Sequence, residues 1–203
     1  MEVLDLLQDL ALEDDEGALQ VEQLNLIQEW RYEKRFDFSA RVEDLNKIRS
    51  TLLTMHKSLI GTGSPQQISQ IPSSRAVYLK RPSNLYRQMI NYDESIEFMR
   101  DNGVTVIEPS SMAFEQCCSI IHSAKVLIAE TGAAMTNMIL CQNDVKVIEI
   151  NPQGFEPNFW RDFSRIFSFE YFKVIAPPKM GSLKQKFIFP MREVHQELLR
   201  STF

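Results

Sequence analysis

The apolar positions of the chain change their spacing along its length, and each change marks a different kind of element. Leu45, Ile48, Leu52, Met55 and Leu59 recur at alternating intervals of three and four, the stripe of an amphipathic helix of roughly five turns. Such a stripe either packs on its own domain or forms a short coiled-coil seam. Ahead of it, Val3, Leu4, Leu7 and Leu10 suggest a short amphipathic helix, the acidic run from Glu13 to Glu16 reads as a solvated loop, and 19–30 has no secure type. The stretch 61–74 is polar, turn-rich and without periodicity, as a linker is. From residue 75 short β-rich runs alternate with helical patterns. Strands are expected over 75–80, 104–107, 125–129, 145–150 and 170–174, and helices over 92–101, 112–122, 133–140, 156–167 and 191–200. Alternation of this kind specifies an α/β class with a doubly wound parallel sheet. The expected division is a helical N-terminal segment over 1–60, a linker over 61–74 and a Rossmann-like domain over 75–203.

Local signals sharpen those boundaries. Asn91 and Glu94 have the spacing of a capping box at the start of the first domain helix. Phe114, Cys118 and Ile121 mark the buried face of the next. Phe155, Phe159, Phe163 and Phe167 repeat every four residues beside Trp160, an aromatic row that reads as core rather than as a stacking platform for a base or cofactor.

Composition narrows the partners. With 22 Lys and Arg against 27 Asp and Glu, the net charge is -5, so the basic footprint of a nucleic-acid binder is missing. Cys117, Cys118 and Cys141 are an odd set with no CxxC pair, which encodes neither a zinc site nor a disulfide framework and suits a reducing compartment. No metal is expected. The N-terminal stretch lacks a basic n-region, and no apolar run is long enough to span a bilayer. These features lead to an expectation of a cytoplasmic location.

The chemistry concentrates in 123–151, SAKVLIAETGAAMTNMILCQNDVKVIEIN. An apolar run breaks at Thr131-Gly132 into small residues that open a helix, and a second buried run follows. Gly132, Ala133 and Ala134 put almost no side chain in the way of a phosphate approaching backbone N–H groups at a helix start. A tight strand-to-helix turn of structural use only is the plain alternative. No GxGxxG is present, which weakens the reading as a dinucleotide domain.

With those residues in view, the segment 77–174 resembles glycosyltransferase family 61, inverting and metal-independent enzymes of the two-lobed GT-B architecture. Arg81, Arg87, Asn91 and Glu94 match the opening of the family's C-terminal lobe; Phe114, Glu115 and Gln116 match a helix start, and Ser123, Ala124 and Lys125 a strand start. The family's His-Gly-Ala-Gly-Leu-Thr-Asn turn stands here as TGAAMTN, with Gly132, Ala133, Thr136 and Asn137 kept and Thr131, Ala134 and Met135 replacing His, Gly and Leu. Val147, Ile148, Glu149 and Ile150, then Phe159 and Trp160, complete the ordered set.

The resemblance implies a C-terminal donor-binding lobe for a nucleotide sugar of the UDP type, as co-substrate with no other cofactor, and a glycan acceptor. Arg81 and Arg87 would face the diphosphate, the amides of Gly132, Ala133 and Ala134 and the hydroxyls of Thr131 and Thr136 would line it, and Asn137 would contact it or brace the turn. Glu149, ending a strand, would accept from ribose hydroxyls or cap the next loop. The catalytic base is unknown: Thr131 cannot carry a proton as the family's His can, and Glu130 is read as turned to solvent, the alternative being a carboxylate toward the acceptor. His56, His122 and His195 read as surface or packing residues. Too few residues precede the linker for a second α/β lobe, which leaves open whether a partner or a longer precursor supplies it, and whether the N-terminal helices form a homodimer. A non-catalytic nucleotide- or glycan-binding module derived from a donor lobe is the competing reading.

Overall fold

Short apolar runs separated by helical patterns must find one another across the chain, and here they pair in parallel. A computed structural model describes residues 38–62, 75–81, 88–154, 159–178 and 186–201. Its strands are β1 (Ala76–Leu79), β2 (Gln88–Met89), β3 (Thr105–Ile107), β4 (Val126–Glu130), β5 (Lys146–Pro152), β6 (Glu170–Ala176) and β7 (Lys186–Phe187). The helices are α1 (Phe38–Thr62), α2 (Tyr92–Asp101), α3 (Phe114–Ser123), α4 (Phe159–Ile166) and α5 (Met191–Leu199), with 3-10 turns at Pro109–Ser111 and Ala133–Leu140. The main sheet runs β3-β1-β4-β5-β6, with every pairing parallel.

The central strands β4 and β5 are buried along their whole lengths, as a parallel sheet covered on both faces requires. Leu127, Ala129 and Val147 face α1, α3, the longer 3-10 helix and α4. Val126, Ile128, Ile148 and Ile150 face α2 and α5 on the other side. The result is a three-layer, Rossmann-like α/β fold with a helical segment before it. The aromatic row is core: Phe163 and Phe167 are buried with Trp160, and Phe159 packs against them. Phe155, Arg87, the expected helix around Val3 to Leu10 and the segment 19–30 lie outside the described residues.

The stripe on α1 packs on the same core as the sheet, through Leu45, Ile48 and Leu52. Arg49 lies on that stripe's face and fastens it. Its Nε donates to Ile139 O at 3.2 Å and its Nη2 to Cys141 O at 2.6 Å and Asn143 Oδ1 at 3.1 Å. The guanidinium also lies 5.1 Å from the Phe167 ring centre and 5.6 Å from that of Phe169. A cation on the last carbonyls of a helix satisfies acceptors that the helix cannot.

Two expectations need correction, and one pairing has no counterpart in the sequence pattern. The capping box does not form: Asn91 makes no cap bond and Glu94 is exposed. The Asn91 amide instead accepts from Phe189 N at 2.7 Å and donates to Phe189 O at 3.4 Å, a long-range pairing that satisfies both of its polar ends. The helix over 133–140 is 3-10, because Thr136 Oγ1 donates to Ala133 O and Asn137 Nδ2 to Ala134 O at 2.9 Å, taking up carbonyls that α-helical amides would use. A second, two-stranded parallel sheet joins β2 to β7, too short in each half to show as periodicity.

At the opposite end of the sheet from the strand tips, Lys146 is buried. Its Nζ bonds Glu197 O at 2.9 Å and Glu197 Oε2 at 3.1 Å, and lies 4.1 Å from the centre of the Phe172 ring. The three thiols are free and buried, and burial pushes Cys117 up to about 11 and Cys141 up to about 12. No helix among the described residues is long and apolar enough to cross a membrane. Lys146→Met should lower stability by about 1–2 kcal/mol, less than the cost of stranding a buried ion because Arg200 Nη1 still bonds Glu197 Oε1; urea denaturation measures it, and an unchanged midpoint would show that α5 does not depend on this contact.

Candidate functional site

In an open α/β sheet, ligands collect beyond the carboxyl ends of the strands where the winding direction reverses. Here the reversal lies between β1 and β4: α2 carries the chain to β3 on one side of β1, and α3 brings it back to β4 on the other. The last β1–β4 pair is Leu79 with Ala129. Lys80 and Arg81 therefore continue past one tip beside Glu130 and Thr131 past the other.

The turn after β4 is built by one residue's backbone freedom. Thr131 N–H bonds Ile150 O at 2.9 Å, continuing the ladder, and Gly132 then adopts φ 153° and ψ -173°, a region essentially confined to glycine. The first closed ring of the 3-10 helix is Met135 N to Gly132 O, 3.0 Å. The amides of Gly132, Ala133 and Ala134 precede it and have no acceptor inside the helix. All three residues are half-buried at the strand tip. Thr136 and Asn137 spend their side chains on carbonyls of the same turn. They brace the turn.

Arg81 is half-buried at the tip of β1. Its neighbour Lys80 is engaged by Glu108 at 2.7 Å, a bond that raises the Lys80 pKa. Beside them Tyr78 is fully buried and donates from its hydroxyl to Glu130 Oε1 at 2.9 Å. Burial drives the Tyr78 pKa well up, the Glu130 charge adds to this, and the nearby Arg81 cation opposes it. Glu130 is thus turned inward, not to solvent, because strand alternation places it on the face of Val126 and Ile128.

Glu149 is also relocated. β5 continues to Pro152 because β6 pairs with it as far as Ala176, so Glu149 sits within the strand, fully buried, instead of at its end. Its Oε2 accepts from Tyr171 OH and its Oε1 from Asn151 Nδ2 at 3.4 Å. Burial, then the bond to Glu149, raises the Tyr171 pKa, which keeps that phenol a donor.

Sequence reasoning missed Tyr78, Tyr171, Asn151 and Arg161. Asn151 had a signal, a polar residue closing the apolar run 145–150; the others belong to elements whose neighbours only the fold supplies. His122 Nδ1 lies 3.0 Å from Leu140 O and His195 Nδ1 2.9 Å from Asn102 Oδ1, both away from the strand tips. Among the described residues no group of three His, Cys, Asp or Glu side chains is placed to hold a metal ion.

No curated protein matches the chain. The family model described as Glycosyltransferase 61 matches residues 19–148, well over half of the 203 residues, and takes in α1, the strands β1 to β4, the turn after β4 and the start of β5. On that match, the chain belongs to glycosyltransferase family 61.

Proposed function

We propose that this chain binds a nucleotide sugar through its diphosphate and transfers the sugar to a glycan acceptor, inverting the anomeric centre without a metal. The observation that carries the reading is the turn at Gly132 to Ala134, whose amides are free of the helix and stand beside Arg81 at the switch point. Amide dipoles and a forked cation favour the charge that gathers on a departing diphosphate. A UDP-linked donor is the form proposed, with a polysaccharide or glycoprotein glycan as acceptor and no further cofactor. The two-lobed GT-B architecture, with this chain as donor lobe, and a cytoplasmic site of action suited to its free thiols belong to the same proposal.

One observation favours a second reading. Transfer needs a base for the acceptor's hydroxyl proton, and both Glu130 and Thr131 are buried, with Glu130 already bonded to Tyr78. A non-catalytic module that holds a nucleotide or glycan for a partner fits that geometry. Release of free sugar from the donor, or its transfer to an added glycan, separates the two.

Thermal-shift titration with UDP, GDP and CMP should show stabilisation by a nucleoside diphosphate, since binding to the folded state raises its stability. Arg81→Ala is expected to weaken that binding by about 1.5–3 kcal/mol, the scale of a charge-assisted bond; unchanged affinity would remove Arg81 from the site. Gly132→Val should abolish binding and lower stability by about 1–3 kcal/mol, the cost of forcing a side chain into its backbone region. Normal binding by that variant would mean that the turn does not face the ligand.

A further inference from the structure

Among the described residues, the buried side-chain polar atoms without a hydrogen-bond partner are Thr131 Oγ1, Asn151 Oδ1 and Arg161 Nε. Leaving such groups unmade is costly, and native proteins rarely do so without a use for them. Two of the three are neighbours across the sheet. Glu130 pairs with Ile150 and Thr131 N–H bonds Ile150 O, so Thr131 and Asn151 occupy the next step of the ladder, on the same face of neighbouring strands. Arg161 is in the first turn of α4, above that face, and its charge acts on the Tyr171 phenol that bonds Glu149. Its approach to Asp162, 3.9 Å, is too long for a hydrogen bond. The chain reaches solvent immediately beyond, at the exposed Gln153 and Gly154, and the Arg161 side chain is 43% exposed. The cluster lies just beneath the ligand edge of the sheet.

The polarity of the three atoms selects a ligand. Arg161 Nε only donates, Asn151 Oδ1 only accepts, and the Thr131 hydroxyl does either. The Asn151 amide is oriented by Glu149, because a flip would set its oxygen against Glu149 Oε1. A phosphate satisfies Arg161 and Thr131 but leaves the Asn151 oxygen unmade. Adjacent hydroxyls offer protons and lone pairs together and answer all three.

We propose that Thr131, Asn151 and Arg161 form a subsite for the vicinal diol of a sugar ring beside the diphosphate turn, with Glu149, held by Tyr171, as the residue that positions Asn151. The inference rests on the nucleotide-sugar reading above. Such a diol comes either from the ribose of the nucleotide or from the transferred sugar.

Calorimetric titration of the full chain with pyrophosphate, UDP, 2′,3′-dideoxy-UDP and UDP-glucose tests it. A ribose subsite gives UDP an advantage of about tenfold over the dideoxy analogue; a subsite for the transferred sugar leaves those two equal and gives UDP-glucose about tenfold over UDP, the scale of one to two hydrogen bonds. Asn151→Leu should bring the affected ratio to about one. Glu149→Gln should shrink it in the wild-type background but not beside Asn151→Leu, a coupling that a merely structural role would not produce. Thr131→Val, which keeps the volume of the side chain, should shrink the ratio while raising the Tm of the unliganded chain by about 2–4 °C, since it removes an unmade buried hydroxyl. That variant decides the matter if Asn151→Leu fails to fold. Ratios near one in the wild type, with pyrophosphate bound, would overturn the subsite and leave the diphosphate reading standing. Ratios that survive both substitutions would place the diol elsewhere, and no binding of any of the four probes would remove both readings.

Discussion

The hydrogen bond from Thr131 N–H to Ile150 O extends the β4–β5 ladder one residue beyond the strand, and the architecture of the tip follows from it. Because side chains alternate across a sheet, an extended Thr131 commits Glu130 to one face and its own hydroxyl to the other. Gly132 can then break direction where a residue with a Cβ would resist. Slipping the register by one residue would exchange the faces and bury the wrong groups.

Two polar networks therefore stand back to back across the same strands. On one face Tyr78 and Glu130 are bonded to each other beneath Arg81, a closed arrangement. On the other, Tyr171, Glu149 and Asn151 form a chain of bonds that ends in an acceptor with nothing to receive. Burial makes both networks consequential, because a low local dielectric strengthens each made bond and raises the cost of each missing one. The first network flanks the turn that begins at Gly132; the second ends in an unmade acceptor at the sheet edge.

The far end of the 3-10 helix is secured by α1. Arg49 bonds the carbonyls of Ile139 and Cys141, so the 3-10 helix is gripped at its end by α1 and begins at the glycine turn. A short 3-10 helix has poor bond geometry of its own, and this external contact stabilises it. The family match, over residues 19–148, includes α1 together with β1, β3, β4 and the start of β5.

Local pattern carried much of this in the sequence. The 3-and-4 spacing of Leu45, Ile48 and Leu52, the apolar runs of β4 and β5 and the TGAAMTN turn were legible because periodicity and backbone sterics act between near neighbours. The order of the strands, the diversion of Asn91 to Phe189, the inward turn of Glu130 and the meeting of Glu149 with Tyr171 were not. Each depends on a partner far along the chain, brought close only when parallel strands align. The sequence by itself determined where the strands of the main sheet and the α-helices between them lie, and where glycine lets the backbone turn. The tertiary structure decided which carboxylates are buried, which polar atoms are answered and which are left waiting, since hydrogen-bond satisfaction is a property of neighbours in space.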